Sequence, residues 1–210
     1  MLIESKEAFV EYLHSVENNR EQTLKCTFTP ELSARISDAA FVETLIIGLP
    51  MVQCVQHRIV RSRGRGAVLT AKLRYRDGVR LLEGKMQTAE ETAAMDAARA
   101  AVWQAAHQNC EENRFRCLYD WLCSHVCYVH TAPGQKGYER LVSAAGALTE
   151  GQANCQGFAD ALYLLCGLCG IACEYRCGRG EKRLHLWNAV RLNGQWREVD
   201  ASKGARENDN

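Results

Sequence analysis

Apolar positions along the chain change period several times, and each change marks an element. Phe9, Leu13 and Val16 recur at helical spacing, and a second helical pattern runs from Leu32 through Ile36 and Ala40 to about Ile47, where Gly48 and Pro50 act as stop signals. Val52 to Arg61 reads as a strand. Beyond the turn-like RSRGRG, Ala67, Leu69, Ala71, Leu73 and Tyr75 alternate strictly with Val68, Thr70, Lys72, Arg74 and Arg76, so the two runs read as a half-buried hairpin. Thr88 and Glu91 form a capping box that opens an Ala-rich helix to about Gln108. Phe115, Leu118, Leu122 and Val126 share one stripe of a further helix. The switch from strand to helix period places a boundary near residue 86: a small N-terminal α+β unit over 1–86 and a second domain over 87–210. Trp103, Trp121 and Trp196 read as core or boundary anchors.

Residues 148–202 carry the densest signals. A polar approach ends at Asn154 and Cys155, where a helix begins whose Ala159, Leu162, Leu165, Cys166 and Cys169 point inward and which Gly170 closes. Ile171, Cys173, Tyr175 and Cys177 then alternate along a strand, a loop covers Gly178–Arg183, and a second strand runs from His185 to Leu192. Asn193-Gly194 is a strong hairpin turn signal, with Gln195 to Asp200 as the return strand. A two-residue turn pairs Leu192 with Gln195, which sets Trp187 opposite Asp200 and puts His185 on the face that carries Asp200. Diagonal neighbours on one face lie about 7–8 Å apart, within reach of an imidazole and a carboxylate.

Composition narrows the class. The 210 residues are 47% hydrophobic and 24% charged with 3 prolines, enough to bury a core and too apolar for a disordered chain. Between Met51 and Lys85, nine basic residues face two acidic ones, so this stretch carries +7 and the remainder −6. The longest uncharged run of the C-terminal half, Ala161 to Cys173, is too short to span a bilayer, and the N-terminus lacks a basic head followed by an apolar block. Eleven cysteines, an odd number, then read as free thiols in a reducing compartment. The expectation is a soluble cytoplasmic protein.

A free thiol is about 8.5 in pKa and only a few per cent ionised at neutral pH, whereas a helix N-terminus or an imidazolium lowers that value. Cys155 is the one cysteine that the pattern places at such a start. With His185 to take its proton and Asp200 to orient the ring, the segment supplies a nucleophile, a base and an orienting acid.

The stretches GQANCQGFADALYLLCGLCGIACEYRCG and HLWNAVRLNGQWREVD resemble the core of the transglutaminase-like superfamily, including bacterial cysteine proteases built on it. The resemblance covers roughly residues 118–202, with LYDWLCSHVCYV as the helical approach. It implies an α+β fold: a papain/transglutaminase-like core, in which the helix carrying the Cys packs on an antiparallel sheet, joined to the small N-terminal unit. It also implies Cys155, His185 and Asp200 as a catalytic triad that attacks an amide carbonyl and forms an acyl-enzyme. A cysteine peptidase or amidase acting on a peptide or protein substrate follows, with a transamidase or a non-catalytic interaction module as the other outcomes. Gln152 and Tyr128 are the candidate oxyanion donors beside the backbone N–H of Cys155, and Trp187 is the candidate cleft residue. This chain departs from the family pattern at Leu186 and at Ala201-Ser202, and it ends ten residues beyond Asp200, so one cleft wall is expected to be missing or supplied by a second copy, making a homo-oligomer.

Two rival chemistries compete with this reading. Cys166, Cys169, Cys173 and Cys177 are closely spaced, but the first two fall in a helix and the others on one strand face, so core thiols are expected and no metal or other cofactor. Arg61, Arg63 and Arg65 at the turn, with Lys72, Arg74 and Arg76 on one strand face, invite a nucleic acid; no aromatics interleave there, so a solvated sheet face is expected instead.

Overall fold

A computed structural model describes residues 1–180 and 184–207, and the chain divides into two compact units, Met1–Tyr75 and Arg76–Asn210. In the first, β1 (Leu2–Ile3), α1 (Lys6–Asn18), β2 (Thr23–Phe28), α2 (Pro30–Arg35), α3 (Asp38–Ile47), β3 (Val52–Ser62) and β4 (Gly66–Tyr75) follow in order. Their sheet runs β1-β2-β4-β3, with β1 parallel to β2 and the other pairs antiparallel. The alternation along β4 is the expected one: Ala67, Leu69, Ala71, Leu73 and Tyr75 are buried. Phe9 of α1, Phe28 of β2 and Phe41 of α3 meet at the centre, with ring centroids 5.0 Å apart for Phe9–Phe28 and 4.2 Å for Phe28–Phe41.

Two expectations change here. The helix expected from Leu32 to Ile47 is two helices, because Ile36 is extended (φ −118°, ψ 125°) and the Ser37 hydroxyl accepts from the Ala40 N–H at 3.2 Å, starting a new helix. Arg61, expected at the free turn, instead clamps that joint. Its guanidinium donates to Ile36 O (2.8 Å), Asp38 Oδ1 (2.8 Å) and Ser33 Oγ (2.9 Å), and it lies over the Phe41 ring. Periodicity also missed β2, whose three inward residues Leu24, Cys26 and Phe28 make too short a run to stand out.

The second unit continues with α4 (Asp77–Leu82), α5 (Ala89–Ala106), α6 (Glu111–His125), β5 (Cys127–Tyr128), α7 (Tyr138–Leu141), α8 (Ala144–Glu150), β6 (Gln152–Ala153), α9 (Cys155–Leu168), β7 (Cys173–Arg179), β8 (Leu184–Leu192), β9 (Gln195–Val199), a 3₁₀ turn (Ala201–Lys203) and β10 (Arg206–Glu207). Three antiparallel strands, β7-β8-β9, form one sheet; β10-β5-β6 form a small parallel one. The Thr88–Glu91 capping box opens α5 as expected, and its small residues Ala94, Ala98, Ala101 and Ala105 are all buried, letting neighbouring helices approach closely. Phe158, Leu162 and Leu165 of α9 join Leu118, Leu122, Val190 and Leu192 in one core. At its far end Ile171 N–H bonds Cys166 O (2.9 Å) and Gly170 N–H bonds Gly167 O (3.2 Å), with Gly170 at φ +72°, a Schellman stop that needs glycine.

The units divide at Tyr75–Arg76, ahead of the expected residue 86, because 77–82 forms α4 and packs on α9. Arg76 therefore leaves the solvated strand face it was expected to share with Lys72 and Arg74, and is only 4% exposed. Of the expected loop Gly178–Arg183, Gly178 and Arg179 extend β7, while residues 181–183 lie outside the described residues. Trp103 and Trp196, expected as anchors, are 70% and 45% exposed. Among the described residues, no helix is long and apolar enough to cross a membrane.

Candidate active site

The start of α9 is built by a capping asparagine and a glycine. Asn154 Oδ1 accepts from the N–H groups of Gln156 (2.9 Å) and Gly157 (3.4 Å), satisfying two of the donors that a helix leaves unpaired. The Asn154 N–H in turn donates to Leu141 O (2.9 Å) at the end of α7. A side chain at position 157 would fall on that same carbonyl, so only glycine lets α7 seat there. Cys155 is thereby fixed as the first residue of α9, at 6% exposure and at the positive end of the helix.

The β8–β9 hairpin brings the other two groups in. Asn193 and Gly194 take φ values of +51° and +81°, and the register runs from Leu192↔Gln195 to Asn188↔Val199, as the two-residue turn requires. Asp200 thus leaves β9 beside His185, with Nε2 of the ring 2.8 Å from Oδ2. Ser202 donates to the other oxygen of Asp200 from its N–H (3.2 Å) and its hydroxyl (2.6 Å). The His185 ring also hydrogen-bonds the Cys155 side chain; with Nε2 on Asp200, Nδ1 is the nitrogen left for sulfur. Trp187 stacks on His185 at 5.8 Å and anchors its own Nε1 on Glu198 (2.7 Å), fixing the imidazole plane.

The electrostatics follow from these contacts. The hydrogen bond to Asp200, then the one to Cys155, raise His185 from 6.5 to about 9 against the opposing effect of burial. Burial acts to raise Asp200, but the bonds from His185 and Ser202 outweigh it and hold the carboxyl below its ordinary value. Other thiols differ: burial pushes Cys123, Cys169 and Cys177 up, and Cys26 to about 12. Cys166 is raised by its hydrogen bond with Cys173 and by burial. Among the described residues, no three His, Cys, Asp or Glu side chains converge in a way that suits a metal ion.

Behind Cys155 lies a polar network that sequence reasoning missed. Asp160, fully buried, accepts from Gly78 N–H (3.0 Å) and the Tyr175 hydroxyl (2.7 Å) on one oxygen and from Ala144 N–H (2.8 Å) on the other, tying α4, α8 and β7 to α9. Burial pushes its carboxyl up to about 6, with Arg76 pulling the other way. Arg76 lies over the Tyr175 ring and donates from both terminal nitrogens to Gln156 Oε1 (3.3 Å each), while Gln156 Nε2 donates to the Tyr138 hydroxyl (3.0 Å). One signal for this was present: Asp160 is the lone charge in the apolar run from Phe158 to Leu165, and buried charges need partners. Of the other sequence candidates, Tyr128 stacks on Phe158 (6.3 Å) and meets His130 edge-on (5.0 Å), and Gln152 is exposed in β6, paired with Cys127.

A helix-borne thiol facing a histidine on one strand and an aspartate at the end of the next defines a class of thiol site. The chain belongs to the transglutaminase-like superfamily, whose family profile matches residues 96–201. It is 31% identical over 115 residues to Kyphoscoliosis peptidase of Homo sapiens and 30% identical over 115 residues to that of Mus musculus. Those matches take in 49% of this chain and 17% of each relative, so the chain spans a small part of their length. Among solved structures it is similar to a TGase (TM-score 0.49, 12% identity, 96% of this chain and 58% of that one) and to the periplasmic domain of TgpA from Pseudomonas aeruginosa (TM-score 0.43, 12% identity, 71% and 63%).

Proposed function

We propose that the chain is a thiol-dependent hydrolase of peptide or other amide bonds, working through Cys155, His185 and Asp200. The observation that carries this reading is the hydrogen bonding of His185 to Asp200 on one side and to Cys155 on the other. His185 holds, as imidazolium, the proton that Cys155 has given up, and the thiolate sulfur attacks the amide carbonyl carbon. As the tetrahedral adduct collapses, the C–N bond breaks and the leaving amine receives the proton from His185. Water then attacks the thioester, giving its proton to the ring, and the acid is released with Cys155 restored. Asp200 orients the ring throughout and stabilises it whenever it is charged, and the positive end of α9 favours the negative charge that develops at the first turn.

The peptidase relatives support a polypeptide as substrate. An amine in place of water at the second step would make the same triad a transamidase, and the products separate the two. The proposal also includes a compartment where thiols stay reduced, which eleven cysteines, an odd number, favour. Incubation with unfolded casein, with and without a primary amine, tests it by mass spectrometry. New peptide ends bearing free carboxylates, lost with Cys155→Ala, are expected. Amine-capped products alone would make the chain a transamidase, and no turnover or acyl-Cys155 adduct from correctly folded protein would overturn the reading.

A further inference from the structure

Resting on that acyl-transfer reading, we propose that Tyr138 is a further catalytic residue: its hydroxyl donates a hydrogen bond to the carbonyl oxygen of the bond under attack, with Gln156 and Arg76 as positioning residues. The placement starts from the backbone. Leu141, the last residue of α7, is joined to the cap of α9 through Asn154 N–H, and glycine at 157 lets the two elements touch, so Tyr138 one turn earlier lies against the start of α9. Gln156, the residue after Cys155, donates to the Tyr138 oxygen at 3.0 Å.

The chain of donors decides where the Tyr138 proton points. Arg76 has only donors to offer, and both its terminal nitrogens bond Gln156 Oε1, which fixes the amide with its NH₂ toward Tyr138. The Tyr138 oxygen is therefore the acceptor in that bond, and its O–H is directed to a different acceptor. The cation at the head of the chain polarises each bond along it and strengthens the final donor. Burial raises the Tyr138 phenol and the charge of Cys155 adds to that, so the group stays a neutral donor and senses the reacting sulfur. No proton leaves Tyr138; the bond strengthens as the carbonyl oxygen gains charge and relaxes when the thioester forms. A preorganised donor of this kind is worth about 10²–10³ in rate.

Two reactions of the full-length protein separate this role from the triad's. p-Nitrophenyl acetate acylates Cys155 through an oxyanion, whereas iodoacetamide loses iodide from carbon and builds none. In Tyr138→Phe, the burst of p-nitrophenolate should slow by about 10²-fold while alkylation of Cys155 stays within about twofold. Gln156→Glu keeps the phenol but turns it: a carboxylate has only acceptors, so it draws the Tyr138 O–H to itself, and acylation should fall without loss of the hydroxyl. If Tyr138→Phe acylates as fast as the natural chain, the assignment fails while the triad stands. If alkylation falls in step with acylation, Tyr138 acts on the thiol and the oxyanion role is overturned. If the natural chain gives no acyl-Cys155 at all, the acyl-transfer reading itself has failed.

Discussion

At His185 two hydrogen bonds and partial burial act in opposite directions, and the hydrogen bonds prevail, so the folded ring keeps its proton to about 9 instead of the ordinary 6.5. A raised histidine stabilises the fold fully below its unfolded value, and that stabilisation disappears as pH rises through the folded value. Asp200, held below its ordinary 3.8, contributes above that value and loses its contribution as pH falls through its lowered folded one. The natural chain should therefore exceed Asp200→Asn in thermal midpoint most strongly from about pH 4 to 6.5, with the gap closing through about pH 9. Midpoints measured across that range check it; a gap that is constant with pH would show that the pair does not titrate with folding. The pairing of His185 with Asp200 was legible because its register follows from a two-residue turn, a local feature. Arg76 was not: the alternation of β4 extends to it in sequence, while its burial comes from Gln156 and Tyr175, eighty and more positions away.

Among the elements, α7 meets the start of α9 with no room for a side chain at position 157. Gly157→Ala would drive a methyl group into Leu141 O, a backbone atom that cannot swing aside, so α7 must shift from the Asn154 cap. The expected outcome is a folded protein with a loss of about 1–3 kcal/mol in urea unfolding and slower acylation of Cys155. Unchanged values on both counts would mean that the joint does not position the site. Elements with their own punctuation were legible: the capping box of α5, the glycine stop of α9 and the Asn193-Gly194 turn each act within a few residues. The break between α2 and α3 was not, because Ile36 and Ala40 keep helical spacing across it and only the Ser37 cap and the Arg61 clamp, the latter more than twenty positions on, reveal it.

For the whole molecule, every residue assigned to the site, from Arg76 to Asp200, belongs to the second compact unit. A chain beginning at Arg76 should therefore keep fast modification of Cys155, as peptide mapping after brief alkylation would show; a thiol no faster than its neighbours in that fragment would assign part of the site to the first unit. The central claim, that His185 activates Cys155, meets its most direct test in the pH–rate profile of iodoacetamide alkylation at Cys155 in the natural chain and in His185→Ala. The prediction is that Cys155 reacts ahead of the other ten cysteines, with a midpoint below the roughly 8.5 of a free thiol, and that His185→Ala raises the midpoint and slows the reaction at neutral pH. A Cys155 no faster than the rest, or a profile indifferent to His185, would contradict it.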